Sequence, residues 1–231
     1  MEEISINYIP IQSLGYVSCN VPSDVFLSVN QEVQDIIKNN FTTALPNNKH
    51  LAGLIEHEYK LITCAYKLNK FFKLVIPEYW KLHNNYKETQ VEYKIQGIDN
   101  TSEYKPDIWV NLQKKYEFNP LHNHRGVLSF VMYLQIPYNM EDELCMPHFK
   151  NSNVRLFHGK SASTFSFVYP SIAQQHNMEH AVAEHVINID KTWVGKMIIF
   201  PAWLQHMVTP FYTSDEYRIS VSGNLAPVYN G

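Results

Sequence analysis

The chain has 231 residues, 45% hydrophobic and 18% charged, with a formal net charge of −3. This describes a globular chain long enough to bury a proper core in one large domain or two small ones, and disfavours a disordered one. The near-neutral charge disfavours sequence-independent binding to a phosphate backbone. The three scattered cysteines (Cys19, Cys64, Cys145), without a Cys-x-x-Cys pair, disfavour a disulfide scaffold or thiolate zinc site and fit a reducing compartment.

The opening "MEEISINYIP" is acidic and lacks the apolar run of a signal peptide, and no window reaches the length a membrane helix needs. The expectation is a soluble cytoplasmic protein with no membrane partner. Strands are expected in "EISINYIP" and "LGYVSCN". Helical periodicity follows: "PSDVFLSVNQEVQDIIKN" places Val25, Val29, Val33 and Ile36 on one stripe, with Pro22 suited to a first turn. "HLAGLIEHEYKLITCAYKLNKFFKL" carries the same spacing through Leu51, Leu54, Ile55, Leu61, Ile62, Ala65, Leu68 and Phe72. Pro77 is expected to kink or end that helix, with "EYWKLHNN" adding a last segment. These stripes read as packing faces.

Near residue 100 the pattern changes to short β-rich runs: "DIWVNLQ", "VLSFVMYLQIP", "VRLFH", "STFSFVY", "HVINI", "GKMIIF", "HMVTPF" and "YRISVSGN". Turn signals separate them, among them Asn119-Pro120, Pro137, Gly159, Gly195 and Pro201. The pattern predicts an α+β domain, mainly β, with a double-sheet core and N-terminal helices covering one sheet. The chain reads as one domain over 1–231, with helical support and early strands in 1–100 and the β core in 101–231. In "VLSFVMYLQIP", one parity (Phe130, Met132, Leu134, Ile136) is apolar and the other (Ser129, Val131, Tyr133, Gln135) is mixed. Helices outside and a ligand cavity inside would give this pattern; so would an apolar core face opposite solvent, and periodicity alone does not choose.

Three features carry chemistry. "NPLHNHRG" places His122 and His124 two apart, so both side chains can point the same way toward one ion. His206 follows a Gly–strand–Pro unit in "GKMIIFPAWLQHMVTPF", where a neighbouring strand could bring it in. Arg218 and Ser220 are again co-facial; arginine offers a planar fork for a carboxylate and serine a hydroxyl beside it. A metal with open positions next to such a clamp outlines a site for a metal-bound keto acid.

On "WVNLQKKYEFNPLHNHRGVLSFVMYLQIPY" and "GKMIIFPAWLQHMVTPFYTSDEYRISVSGN" the chain resembles the 2-oxoglutarate- and Fe(II)-dependent dioxygenase superfamily, and within it oxygenases of marine phages and bacteria. The resemblance implies a double-stranded β-helix (jelly-roll) core, Fe(II) and 2-oxoglutarate as cofactors, O2 as co-substrate and hydroxylation of an unactivated C–H bond. It implies His122 and His206 as iron ligands and Arg218 with Ser220 as the clamp on the distal carboxylate of 2-oxoglutarate. Tyr133 is a further candidate for that carboxylate. A protein or peptide side chain such as proline or asparagine is the first substrate class by analogy, a small metabolite the second; no nucleic-acid partner is expected. A phage origin would place the protein in the host cytoplasm.

The departure is at His124, where the superfamily carries Asp or Glu. Three assignments stand: a three-histidine face of His122, His124 and His206; His124 orienting a ligand without binding; or a motif starting at His124 with Gly126 at the acid position and an open coordination site. Imidazole also suits zinc, copper and nickel. Two other functions compete. A cupin-like barrel can bind metal or small molecules without oxidising anything, although it has no need of an Arg/Ser clamp. "HNMEH", residues 176–180, fits the His-x-x-Glu-His zinc-protease pattern, with no evident third ligand. His148 in "PHFK" and His158 in "RLFH" read as structural or surface residues, Trp109 and Trp203 as core, and Asn111 as within reach of substrate or metal-bound water.

Overall fold

The computed structural model describes residues 15–48, 52–82, 91–97, 105–150, 162–170 and 182–228. Two antiparallel sheets face each other, and two helices cover the outer side of the larger one. The larger sheet has seven strands: β1 (Val17–Asn20), β2 (His57–Lys60), β3 (Glu92–Ile95), β4 (Ile108–Gln113), β6 (Leu128–Gln135), β9 (Lys196–Pro201) and β11 (Arg218–Val228). Their order is β1-β9-β6-β11-β4-β2, with β3 paired to the far end of β11. The smaller sheet runs β5 (Asn119–His122), β10 (Gln205–Val208), β7 (Thr164–Pro170) and β8 (Val182–Asn188).

The covering helices are α1 (Ser23–Lys38) and α2 (Ala65–Lys81). In α1 the stripe Val25, Val29, Val33 and Ile36 is buried as its spacing requires, and Pro22 stands at the N-cap. The N-terminal turn of α2 is held by Glu32 of α1, whose carboxylate accepts the backbone N–H groups of Ile62, Thr63 and Cys64. Burial pushes the Glu32 carboxyl up, and these bonds together outweigh it and pull the group below its usual value. Both helices pack on the outer face of the larger sheet against Val110, Leu112, Phe130, Met132, Ile199 and Val221. A second core of Val131, Tyr133, Phe165, Phe167, Ile198 and Phe200 fills the space between the sheets. The two parities of β6 thus serve different layers: Phe130, Met132 and Leu134 meet the helices, while Val131 and Tyr133 face the opposite sheet. Ile136, past the strand end, leaves the pattern and joins the inter-sheet core.

Several elements differ from the sequence expectation. The long helix expected over residues 50–74 is a strand followed by a helix: His57–Lys60 pairs with β4, and α2 starts at Ala65. Leu54 and Ile62, members of the predicted stripe, are 62% and 47% exposed, because the ladder to β4 overrides the helical spacing. Pro77 does not end α2, which continues to Lys81; the proline is exposed while Phe72, Ile76, Tyr79 and Trp80 anchor the helix. Asn119-Pro120, expected as a turn, opens β5, and proline is admissible there because β5 is an edge strand. β3 has no counterpart in the reading, and β11 runs further than "YRISVSGN". The strands expected in "EISINYIP" and "VRLFH" lie outside the described residues, whereas "LGYVSCN" supplies β1.

Candidate metal centre and carboxylate pocket

His122 ends β5 and His206 lies in β10, and the two are direct partners in the ladder between these strands. His124 follows in the loop after β5, fixed by its backbone N–H donating to the Ala202 carbonyl at 2.8 Å. One ring nitrogen from each of His122, His124 and His206 can be chosen so that all three lie within 4.8 Å of one another. Local hydrogen bonds set the orientation of two rings. Nδ1–H of His122 donates to the Pro120 carbonyl at 2.6 Å, and Nδ1–H of His206 donates to the Leu204 carbonyl at 2.9 Å. Each bond leaves Nε2 as the lone-pair nitrogen. Nε2 of His124 sits 3.0 Å from Nε2 of His206, so in the ion-free arrangement His124 is the donor of that pair.

Burial keeps all three rings neutral. It lowers His122, opposed by the Pro120 hydrogen bond. It lowers His124 to about 3, assisted by His122, and His206 further still, assisted by both other histidines. Phe165 stacks on His206 at 5.4 Å and Phe200 meets it edge-on at 4.8 Å, which supplies the apolar wall. Trp109 lies 5.6 Å from the His124 ring. Three neutral imidazoles converging from one side suit a divalent transition metal and leave the cavity side open.

The larger sheet supplies the opposite wall. Its register aligns Glu58, Asn111, Ser220 and Tyr133 in one row across β2, β4, β11 and β6. Gln113 pairs with Arg218 in the next row. Arg218 is 2% exposed. Its Nε and Nη2 donate to Gln113 Oε1 at 3.1 and 2.6 Å, Nη2 also to the Thr209 carbonyl, and Nη1 to the Tyr138 hydroxyl. One N–H of Nη1 remains, and no carboxylate among the described residues lies within 4.0 Å of this buried cation. A buried unpaired guanidinium is costly, about 3–5 kcal/mol when a partner is removed. It therefore marks a place for an anion. Ser220 accepts from Asn111 Nδ2 at 3.4 Å and keeps its own proton to donate. Tyr133 is 2% exposed, and burial pushes its phenol up, opposed by the Arg218 charge, so it stays a donor.

His122, His124, His206, Arg218, Ser220, Tyr133 and Asn111 all line one cavity of about 150 Å³ between the sheets. That is room for roughly ten waters, far beyond a packing defect. Gly126 takes no part in it: its φ is +103°, and a Cβ there would meet Gln96 Oε1 at 3.1 Å and the Leu225 carbonyl at 3.2 Å. The glycine answers a turn requirement. Trp203 is 52% exposed, not a core residue, while Trp109 is 3% exposed. "HNMEH", His158 and the His148 side chain lie outside the described residues. The sequence reading missed Gln113, Tyr138, Glu58 and Asn119. Gln113 was accessible, since it shares its parity with Trp109 and Asn111; nothing local announces the others.

Three imidazoles at one side of the cavity and a buried arginine with a free N–H at the other suit a metal ion and a carboxylate. Residues 107–224, more than half of the chain, match the family model described as "Putative 2OG-Fe(II) oxygenase", and the chain belongs to that family. It is an oxygenase with Fe(II) and 2-oxoglutarate as cofactors, and the two facing sheets are its double-stranded β-helix core. Among solved structures, a Pseudomonas putida prolyl-4-hydroxylase aligns at 13% identity and TM-score 0.49, covering 91% of this chain and 92% of that one. A Trichoplax adhaerens prolyl hydroxylase in complex with a hypoxia inducible factor oxygen degradation domain peptide aligns at 14% and 0.47, covering 93% and 84%. A Burkholderia pseudomallei oxidoreductase of the 2OG-Fe(II) oxygenase family aligns at 14% and 0.45, covering 92% and 84%. No curated protein matches the chain. No helix among the described residues is long and apolar enough to cross a membrane.

Proposed function

We propose that the chain hydroxylates an unactivated C–H bond of a protein or peptide side chain, with a small metabolite as the second substrate class. In this reading His122, His124 and His206 hold the iron, and Arg218, Ser220 and Tyr133 hold the distal carboxylate of 2-oxoglutarate. The observation that carries it is the buried, unpaired Arg218 sharing one cavity with three neutral histidines.

The residues fit the groups the family requires. His122 has its Nε2 lone pair free, and a shift of the His124 proton to Nδ1 frees the Nε2 lone pairs of both His124 and His206. Replacing the usual carboxylate by imidazole leaves the centre more positive, which the nearby carboxylates of 2-oxoglutarate offset. Gln113 grips Arg218 by one edge, with its own Nε2 donating to the Glu117 carbonyl, and so aims the Nη1 edge at the incoming carboxylate. Ser220 and Tyr133 add neutral donors beside it. Phe165, Phe200 and Val131 exclude water from the reacting region. When bound, the iron and 2-oxoglutarate supply the oxidising chemistry: O2 is consumed, one oxygen atom entering succinate as CO2 leaves and the other replacing C–H by C–OH.

The test is turnover of 2-oxoglutarate under 18O2. Succinate carrying one labelled oxygen, formed only with Fe(II) and lost in Arg218→Met and His206→Ala, is the expected result. Succinate formation indifferent to both substitutions would overturn the assignment.

A further inference from the structure

The cavity holds one cation, Arg218, and one carboxyl, Glu58, among its described lining residues, and they do not pair with each other. 2-Oxoglutarate answers only the cation. Glu58 is 1% exposed and Asn111 4%, yet Glu58 Oε2, Asn111 Oδ1 and Asn119 Oδ1 have no donor among the described residues. Asn111 spends its amide nitrogen on the Ser220 and Ser222 hydroxyls, which leaves its oxygen as the free end. Gly53 borders the same space: a Cβ there would lie 2.1 Å from Asn119 Oδ1 and 3.1 Å from Glu58 Oε1. Only glycine lets Asn119 Oδ1 sit this close, so two acceptor side chains converge at this end of the cavity.

What binds there must donate. 2-Oxoglutarate offers only acceptors and would repel an ionised carboxylate. The metal cluster comprises the three histidines and does not extend to Glu58. Unpaired acceptors at this depth are costly, about 1–3 kcal/mol each, and a nearby positive charge would stabilise the acid in its ionised form. We propose that this end of the cavity is a substrate subsite that takes a nitrogen cation, an ammonium or guanidinium, on Glu58, with Asn111 and Asn119 accepting its remaining N–H groups. The inference rests on the oxygenase reading, which makes the group bound here part of the substrate to be oxidised.

The probes are Nα-acetyl-lysinamide and Nα-acetyl-argininamide, against the neutral norleucinamide and citrullinamide counterparts. Alaninamide tests whether an α-ammonium serves as well as a side-chain cation. Binding is measured calorimetrically to anaerobic protein loaded with Fe(II) and 2-oxoglutarate, and the visible absorption of the loaded protein is recorded in parallel. At least one cationic probe is expected to bind saturably and ten or more times tighter than its neutral counterpart. Glu58→Gln abolishes that preference, and Gly53→Ala, whose methyl displaces Asn119 Oδ1 and crowds Glu58 Oε1 while keeping the carboxyl itself, weakens the same binding; both retain the visible band. No preference for the cation, or a preference that survives both substitutions, overturns the subsite. A missing visible band with the cation preference intact would refute the oxygenase reading and leave the cation site standing, so the two failures are distinct.

Discussion

Two residues govern the site's charge in opposite ways. Arg218 is held by neutral partners, Gln113, Tyr138 and a main-chain carbonyl, so its charge is oriented without being cancelled. Removing it should weaken 2-oxoglutarate binding by roughly 2–5 kcal/mol, as for other buried charge partners. Gln113→Leu should cost about 1.5–3 kcal/mol of that affinity, the range for a hydrogen bond to a charged group, while Fe(II) binding stays intact; titrations with each ligand separate the two effects. Glu58 behaves conversely. Burial first, and the Glu117 charge second, push its carboxyl up to about 8. Between the ordinary glutamate value near 4.3 and about 8, the folded chain therefore keeps a proton that the unfolded chain has released. Its contribution to stability falls as pH rises across that window and levels off above it. In ligand-free protein, the difference in urea midpoint between Glu58→Gln and wild type should grow in the variant's favour from pH 5 to pH 8.

At the scale of elements, the site is built by pairing. The β5–β10 ladder places His122 opposite His206, and the β2–β4–β11–β6 register sets Glu58, Asn111, Ser220 and Tyr133 in a row. Several of these pieces were legible in the chain. Co-facial spacing announced His122 with His124 and Arg218 with Ser220, and the alternation in β6 told its two faces apart once the helices were known to lie outside. The strand at His57–Lys60 was not legible, because Leu54, Ile55, Leu61 and Ile62 satisfy helical spacing and only the ladder to β4 decides against it. That error hid Glu58, which a helix would have scattered away from the site. The α2 helix offers its own test. Pro77 is exposed in the helix interior, so Pro77→Ala sacrifices no packing and relieves the proline cost, about 3 kcal/mol in an unconstrained helix. Thermal unfolding should shift upward. Phe72→Ala, at 0% exposure, should instead cost about 3–5 kcal/mol.

Across the whole molecule, two cores divide the labour. One fastens α1 and α2 to the larger sheet, and the other closes the space between the sheets around a polar pocket. None of the proposed ligands lies in α1 or α2, which pack on the outer face of the wall that carries Arg218. This division is why the sequence signals for support and for chemistry fall in separate halves of the chain. In the proposed arrangement both walls act on one pair of bound groups. Anaerobic addition of Fe(II) and then 2-oxoglutarate, followed by visible absorption, measures this most directly. A weak charge-transfer band should appear only with both present, vanish in His206→Ala and weaken in Arg218→Met, and its loss in His124→Ala would place that residue on the metal. A wild-type protein that binds Fe(II) yet shows no such band at saturating 2-oxoglutarate would contradict the account.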